Sequence, residues 1–224
     1  ALVANGMEQE EALYKVLKET IIASKNIRFE GDGYSEEWKK EAEGRGLTNI
    51  CHVPEAIMRF NDPQSRSVLI GEKVFNENEL NCRIEVELEK YTKKIQIESR
   101  VLGDMAINHI VPTAVIYQNR LLENLRGLRE TFSTEEYEYL GAERRELVKE
   151  IQLHTMEIKK LVREMTNARH IANRLSSQVE KAYSYQDSVS PYMEKIREHI
   201  DDLEMEIDDE IWPLPKYREL LFTK

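Results

Sequence analysis

The chain has 224 residues, of which 41% are hydrophobic and 33% are charged, and its formal net charge at pH 7 is -10. This acidic balance argues against nucleic-acid binding, because a phosphate backbone must be met by a basic stripe that displaces its counterions. The length can bury one large core or two small ones. Few glycines and prolines among many Lys, Glu, Leu and Ile residues predict long helices rather than a sandwich or barrel.

Cysteines and targeting signals point to a reduced, cytoplasmic setting. Cys51 and Cys82 are the only cysteines, and without a C-x-x-C motif they predict neither a disulfide framework nor a zinc site. We find no run of eighteen apolar residues and no charged-then-apolar leader, so we expect no membrane span and no signal peptide. Because the first methionine is Met7, we expect this sequence to be a piece of a longer polypeptide.

The first third of the chain predicts four short helices. Apolar residues at helical spacing predict the first at 8 to 24. Ser35 occupies an N-cap position before two glutamates, so a second helix is expected from 35 to 43. A stretch broken by two prolines predicts short helices at 54 to 60 and 63 to 70.

A long helix follows. Asn76 and Glu79 form a capping box, and the helical pattern continues through a kink at Pro112 to about Leu128. Its apolar residues occupy two faces: Ile84, Leu88, Tyr91, Ile95 and Leu102 on one, and Cys82, Val86, Ile97 and Val101 on the other. A helix that is apolar on two sides is expected to be covered on two sides.

The second half predicts two further long helices. Ser133 and Glu136 form another capping box. An apolar seam of about five heptads then contains Leu147, Ile151, His154, Ile158, Leu161, Met165, Ala168, Ala172, Leu175, Val179 and Ala182, with His154 its one polar member. A break is expected at 183 to 190, after which Ser190 caps a helix opened by Pro191. The sequence thus predicts an all-α fold, in which short N-terminal helices pack on an antiparallel bundle of long helices with coiled-coil-like seams.

These patterns predict three regions: a short-helix subdomain at 1 to 75, a long helical bundle or projecting arm at 76 to 210, and a docking tail at 211 to 224. The tail reads IWPLPKYRELLFTK. Because a free tail would expose much apolar surface to water, we expect it to fold onto this chain or to dock on a partner.

A search for catalytic constellations predicts no catalytic, cofactor-binding or metal-binding residues. The Glu-x-x-His pairs of di-iron bundles, the P-loop and the nucleophile elbow are all missing. The glycines of GDGYS, at 31 to 35, favour a tight turn over a phosphate cradle. His154 is interpreted as a satisfied core or register-setting histidine rather than a ligand.

Two polar groups of residues are also interpreted structurally. The first interrupts the most apolar helix and is expected to form a buried ion-pair network or a docking face rather than a catalytic site. Its members are Glu98, Arg100, Asp104, Asn108, His109 and Gln118. The second, at 201 to 210, keeps its apolar period and is expected to be a solvated acidic face rather than a calcium site.

Four stretches carry a family resemblance: KNIRFEGDGYSEEWKKEAEGRGLTN at 25 to 49, PEAI at 54 to 57, IEVELEKYTKKIQIESRVLGDMAINHIVPTAVIYQNRL at 84 to 121, and EIWPLPKYRELLF at 210 to 222. Together they resemble the C-terminal region of type III glutamine synthetases. From about 130 to 188 the resemblance rests on helical pattern. The chain looks like the final third of such an enzyme, without its catalytic domains.

The resemblance implies a parent enzyme of nitrogen assimilation that joins ammonia to glutamate with ATP and Mg or Mn, through a γ-glutamyl phosphate. It implies partners in the catalytic domains of the same polypeptide and in neighbouring subunits of a ring-shaped homo-oligomer, with neither nucleic acid nor membrane. No catalytic residue can be carried onto this chain, so this fragment alone is expected to hold no cofactor and to be inactive.

Two expectations complete the interpretation. The tail residues Trp212, Leu214, Tyr217, Leu220, Leu221 and Phe222 are expected to pack on the short N-terminal helices around Trp38, or on the catalytic domain. The alternative to the synthetase is a free-standing coiled-coil adaptor whose seams bind partner helices.

Overall fold

The computed structural model describes residues 6 to 221, and all regular secondary structure within that range is helical. The α-helices are α1 Gln9–Ala23, α2 Glu36–Gly44, α3 Val53–Met58, α4 Pro63–Gly71, α5 Glu77–Met105, α6 Val111–Thr131, α7 Thr134–Leu140, α8 Ala142–Asn173, α9 Gln178–Ser184, α10 Ser190–Glu206 and α11 Tyr217–Leu221. None of the helices in the described range is long and apolar enough to cross a bilayer. The predicted all-α class is confirmed.

The described residues form two compact units that divide between Cys51 and His52. In the first unit, Ser35 caps α2 as predicted, since its Oγ accepts a hydrogen bond of 3.1 Å from the Trp38 backbone N–H. The Trp38 ring stacks on Phe29 with a centroid distance of 4.0 Å, and the Arg45 guanidinium lies 5.4 Å from the Trp38 ring centroid. Trp38 therefore joins Phe29 and Arg45 in one cluster of this unit.

In the second unit, α5 and α6 form one nearly continuous rod. The capping box is confirmed: the Asn76 N–H donates to Glu79 Oε2 at 2.8 Å, and the Glu79 N–H donates to Asn76 Oδ1 at 2.9 Å. The predicted kink is a π turn, Ala106–Ile110, that ends just before Pro112. Proline lacks an N–H and its ring crowds the carbonyl one turn back, so a wider turn at this point accommodates it.

The predicted break in the second half is wrong. α8 ends at Asn173, and the chain reverses before Ser177, whose Oγ accepts a hydrogen bond of 3.3 Å from the Glu180 N–H. The run from α9 to α10 is continuous through a second π turn, Tyr185–Val189. Ser190 has helical backbone angles, φ -54° and ψ -40°, so it does not cap a helix.

The break was predicted because Pro191 was interpreted as the first residue of a new helix, whereas it lies within a continuous one. Pro191 follows the second π turn at the spacing at which Pro112 follows the first. In both places the helix widens by one residue and continues, because neighbouring helices hold it in position.

Two apolar cores hold the second unit together. α8 packs along α10 and α6, and the larger core between them buries Ala106, Ile110, Val111, Ala114, Ile151, Ile158, Leu161, Met165, Ala172, Tyr185, Val189, Ile196, Ile200, Leu203, Ile207 and Trp212. α5 packs along α9, and a smaller core there buries Leu80, Ile84, Leu88 and Ala182 against α3 and α4. The predicted seam is therefore divided between two cores at the α8–α9 reversal.

Candidate functional site

The first candidate surface is the apolar side of α1. Its large side chains are between 47% and 67% exposed, and Ala12 is the one buried residue of this helix. We define the α1 apolar face as Leu13, Tyr14, Val16, Leu17 and Ile21. Because these five positions share one side of a helix, they form a contiguous apolar surface in water, which is typical of an interaction site.

The second candidate surface lies on α5. The predicted inner face packs as expected, with Ile84 and Leu88 buried. The other predicted face is open, since Val86 is 40%, Ile97 61% and Val101 51% exposed, and Cys82 is exposed as well. The expectation of cover on both sides is therefore wrong within this chain. We define the α5 outer face as Cys82, Val86, Ile97 and Val101.

The polar residues near Pro112 do not form a buried ion-pair network, which corrects that prediction. Glu98, Asp104 and Asn108 are all exposed. The Asn108 amide donates to Asp104 Oδ1 at 2.6 Å within the same helix, and the Gln118 amide donates to the Val148 carbonyl oxygen at 2.9 Å. Apart from Gln118, which fixes α6 to α8, these residues face solvent, which is compatible with the alternative prediction of a docking face.

The GDGYS segment is the predicted tight turn. Asp32 Oδ1 accepts a hydrogen bond of 2.9 Å from the Tyr34 N–H, and the Asp32 carbonyl oxygen accepts one of 3.2 Å from the Ser35 N–H. The aspartate thus closes the turn with both its side chain and its backbone.

The tail is anchored at the end of α10. Trp212 is 8% exposed and belongs to the larger core, so the predicted partner, Trp38, was wrong. The Lys216 ammonium donates to the carbonyl oxygens of Glu204 at 2.7 Å and Ile207 at 3.4 Å, and it pairs with Asp209. A cation placed there satisfies carbonyls that the helix end leaves free.

The remaining tail positions differ from one another. Leu214 packs against the larger core as expected. Leu220 and Leu221 are 62% and 61% exposed, so their predicted packing within this chain is wrong. The side chain of Tyr217 and the whole of Phe222 lie outside the described residues.

A pair of histidines faces across the bundle between α8 and α10. His154 Nδ1 lies 3.0 Å from His199 Nδ1, and the two rings meet edge to face with a centroid distance of 5.1 Å. Asp202 Oδ2 lies 3.8 Å from the same His154 nitrogen. We call His154, His199 and Asp202 the histidine cluster. His154 has a hydrogen-bond partner within the seam, His199, which the sequence did not identify; that His154 is not a ligand stays a prediction.

Glu206 lies one turn beyond Asp202 on α10. Its Oε2 is buried and has no hydrogen-bond partner among the described residues. Burial raises the pKa of this carboxyl above its ordinary value, and the negative charges of Glu150 and Asp202 raise it further. The ionised form of Glu206 is therefore disfavoured in the folded chain.

This raised pKa predicts a pH-dependent gain from Glu206→Gln. The folded chain holds the proton of Glu206 more tightly than the unfolded chain does. Ionisation of Glu206 therefore lowers the stability of the fold at pH values above the folded pKa. Below the unfolded pKa of about 4.3 the carboxyl is protonated in both states and the effect disappears. In metal-free buffer at pH 7 we expect the variant to be more stable by about 0.5 kcal/mol, a small value because solvent screens a partly exposed group. This corresponds to a Tm increase of about 1–2 °C.

The control for this substitution is Glu194→Gln, an exposed position on the same helix. It should not raise the Tm at pH 7, and the gain in Glu206→Gln should disappear at pH 4. A gain that stays constant between pH 4 and pH 7 would show that the charge of Glu206 is not its cause.

Comparison with known proteins decides the family. The family model of the glutamine synthetase C-terminal domain matches residues 12–129, more than half of the chain. The chain belongs to this family. The matched range runs from α1 into α6 and includes both the α1 apolar face and the α5 outer face.

Relatives of this glutamine synthetase C-terminal domain align over its length. A glutamine synthetase from Bacteroides fragilis (strain YCH46) is 68% identical over 223 residues, which are 100% of this chain and 31% of that protein. The type-3 glutamine synthetase of Dictyostelium discoideum is 29% identical over 96% of this chain and 29% of its own length. A glutamine synthetase from Butyrivibrio fibrisolvens is 27% identical over 98% of this chain and 31% of its own length.

The chain therefore spans about a third of the length of the curated relatives that it matches. The resemblance inferred from the quoted stretches is confirmed. These relatives also align through α7 to α10, beyond the range of the family model, so the helical second half belongs to the same region of those enzymes.

Proposed function

We propose that this chain is the C-terminal helical region of a type III glutamine synthetase and serves the assembly of that enzyme. The observation that carries the proposal is the α1 apolar face, which lies open in a chain that matches only a third of its relatives' length. An open apolar surface at the start of a family domain is the expected result when the domain is separated from the rest of its polypeptide.

The occupant of the α1 apolar face is the preceding part of the same polypeptide. Complete burial of one large apolar side chain contributes about 1.5–3 kcal/mol. The five half-exposed residues of this face therefore offer several kcal/mol of unused stabilisation. A tethered partner can use that stabilisation without the entropic cost of bringing two molecules together.

The α5 outer face is assigned to a neighbouring subunit of a ring-shaped homo-oligomer. It lies on the rod opposite the buried inner face, so contacts within the second unit do not cover it. Acidic and basic residues alternate with its apolar positions, as in Glu89 paired with Lys93 and Glu87 paired with Lys90. In a subunit contact the apolar positions would form the buried core and these exposed charged pairs the polar rim.

The activity of the whole protein follows from this assignment: ligation of ammonia to glutamate with ATP and Mg or Mn, in the cytoplasm. The catalytic and metal-binding groups for that reaction belong to the missing domains. The role of this region is to hold those domains and the neighbouring subunits in fixed positions relative to one another.

The first test is the mass of the native polypeptide in its source cells, detected with an antibody against this chain. We expect a species about three times as large as the 26.3 kDa of this chain. A native species of about 26 kDa would contradict the synthetase assignment and would support the coiled-coil adaptor.

The second test adds charge to the α1 apolar face in the whole polypeptide. We expect Leu17→Glu with Ile21→Glu to reduce ring assembly in size-exclusion chromatography and to lower the Tm, because buried unpaired carboxylates cost several kcal/mol. The control, Lys15→Glu, makes the same change in net charge on the opposite side of the same helix and should leave assembly unchanged. Equal assembly in both variants would contradict the docking of α1.

A further inference from the structure

We propose that the histidine cluster is a binding site for a borderline divalent transition-metal ion such as Zn²⁺, which would link α8 to α10. The proposal rests on residues of this chain alone and does not depend on the proposed function. His154 comes from α8, and His199 and Asp202 come from one turn of α10. The ligand atoms of the three side chains all lie within 4.8 Å of one another.

The distance between the two imidazole nitrogens matches two ligands of one ion. Ligand atoms bound at 2.0–2.1 Å lie about 2.8–3.4 Å apart at octahedral or tetrahedral angles. The two Nδ1 atoms are 3.0 Å apart, within this range, so both imidazoles can bind one ion after a reorientation of their rings.

Asp202 needs only a small adjustment. Its Oδ2 lies 3.8 Å from His154 Nδ1, and its side chain is 62% exposed. Closing this distance by about 0.5 Å would bring the carboxylate into the ligand range. Because Asp202 follows His199 by one helical turn, both side chains point to the same side of α10. A water molecule would complete a tetrahedral site with three protein ligands.

The surroundings favour a cation. Glu150 lies one turn before His154 on α8, and Glu206 lies one turn after Asp202 on α10. The buried Oε2 of Glu206 has no hydrogen-bond partner in the described part of the chain. Glu206 interacts electrostatically with Glu150 and with Asp202 of the histidine cluster, so three negative charges lie near one another at this end of the bundle, and a divalent ion would relieve their repulsion.

The chemistry of the ligands selects the class of ion. Imidazole binds Zn²⁺, Ni²⁺ and Cu²⁺ well, whereas Mg²⁺ and Ca²⁺ prefer a shell of oxygen ligands. Two imidazoles and one carboxylate therefore exclude the alkaline-earth ions as the main occupants. A hydrogen bond between the two imidazoles would also give the 3.0 Å distance, and the Zn²⁺ titration distinguishes the two explanations.

The experiment is a Zn²⁺ titration of the untagged, chelator-treated chain in competition with a chromophoric chelator. We expect one Zn²⁺ per chain, and at least a tenfold weaker affinity in His154→Ala and in His199→Ala. At a hundredfold excess of Zn²⁺ over its dissociation constant, the Tm should rise by about 5–10 °C. Mg²⁺ at the same concentration should not change the Tm.

The matched control is His170→Ala, which removes an exposed histidine from the same helix as His154 and should leave Zn²⁺ affinity unchanged. If a histidine variant loses its helical circular dichroism signal, Asp202→Asn is measured instead. Asp202 is exposed, so we expect this substitution to leave the fold intact. It should weaken Zn²⁺ binding at least tenfold. Absence of stoichiometric binding, or equal affinity in wild type, His199→Ala and Asp202→Asn, would overturn the proposal.

Discussion

Replacing Trp212 by alanine should lower the free energy of unfolding by about 3–5 kcal/mol, since truncating a buried tryptophan removes its transfer energy and leaves a cavity. The indole is 8% exposed and belongs to the larger core. Its Nε1–H has no hydrogen-bond partner among the described residues, so no hydrogen bond is lost and we expect the lower end of this range. The Tm should fall by about 6–12 °C in thermal unfolding followed by circular dichroism.

Two further variants separate packing from other effects. Trp212→Phe keeps an aromatic ring and removes the unpaired N–H, so we expect a loss below about 1.5 kcal/mol. Leu220→Ala, at a position that is 62% exposed, should change stability by no more than about 0.5 kcal/mol. A Tm for Trp212→Ala within 1 °C of the wild type would show that the tail does not stabilise the bundle.

Helix starts were predictable because their signals are local. Each capping box depends on two residues three positions apart, and both Asn76 with Glu79 and Ser133 with Glu136 form the predicted reciprocal bonds. The reversal after α8 was not predicted, although Ser177 and Glu180 offered a similar local signal. The apolar residues keep the same spacing across that reversal, although Ala172 is buried in the larger core and Ala182 in the smaller one. Apolar spacing therefore indicates which side of a helix is buried, but not which core that side packs in.

Exposure and the candidate sites depend on contacts between distant parts of the chain. The sequence identified His154 as a polar residue in an apolar seam, but its partner His199 is 45 residues away, and only the register of α8 against α10 brings them together. For the same reason the sequence could not show that the second face of α5 is open, since cover depends on a partner helix that this chain does not place there.

Replacing Tyr185 by alanine should have an effect of similar size, a loss of about 3–5 kcal/mol and a Tm lower by about 6–20 °C. Tyr185 is completely buried in the second π turn, where the chain passes from α9 to α10. Its hydroxyl donates to Asn173 Oδ1 at 2.8 Å, a contact between the end of α8 and this turn. Burial raises the pKa of the phenol, so the hydroxyl stays protonated and keeps its donor at neutral pH.

Tyr185→Phe separates the hydrogen bond from the packing. It keeps the ring and removes the hydroxyl, so we expect a loss of about 0.5–1.5 kcal/mol, the net worth of one hydrogen bond. Asn173→Ala should cost a similar amount, and the double variant should cost less than the sum of the two, since both changes remove the same bond. Additive losses in this cycle would contradict a direct bond between Tyr185 and Asn173. A Tyr185→Ala variant as stable as Tyr185→Phe would show that the π turn does not depend on the buried ring.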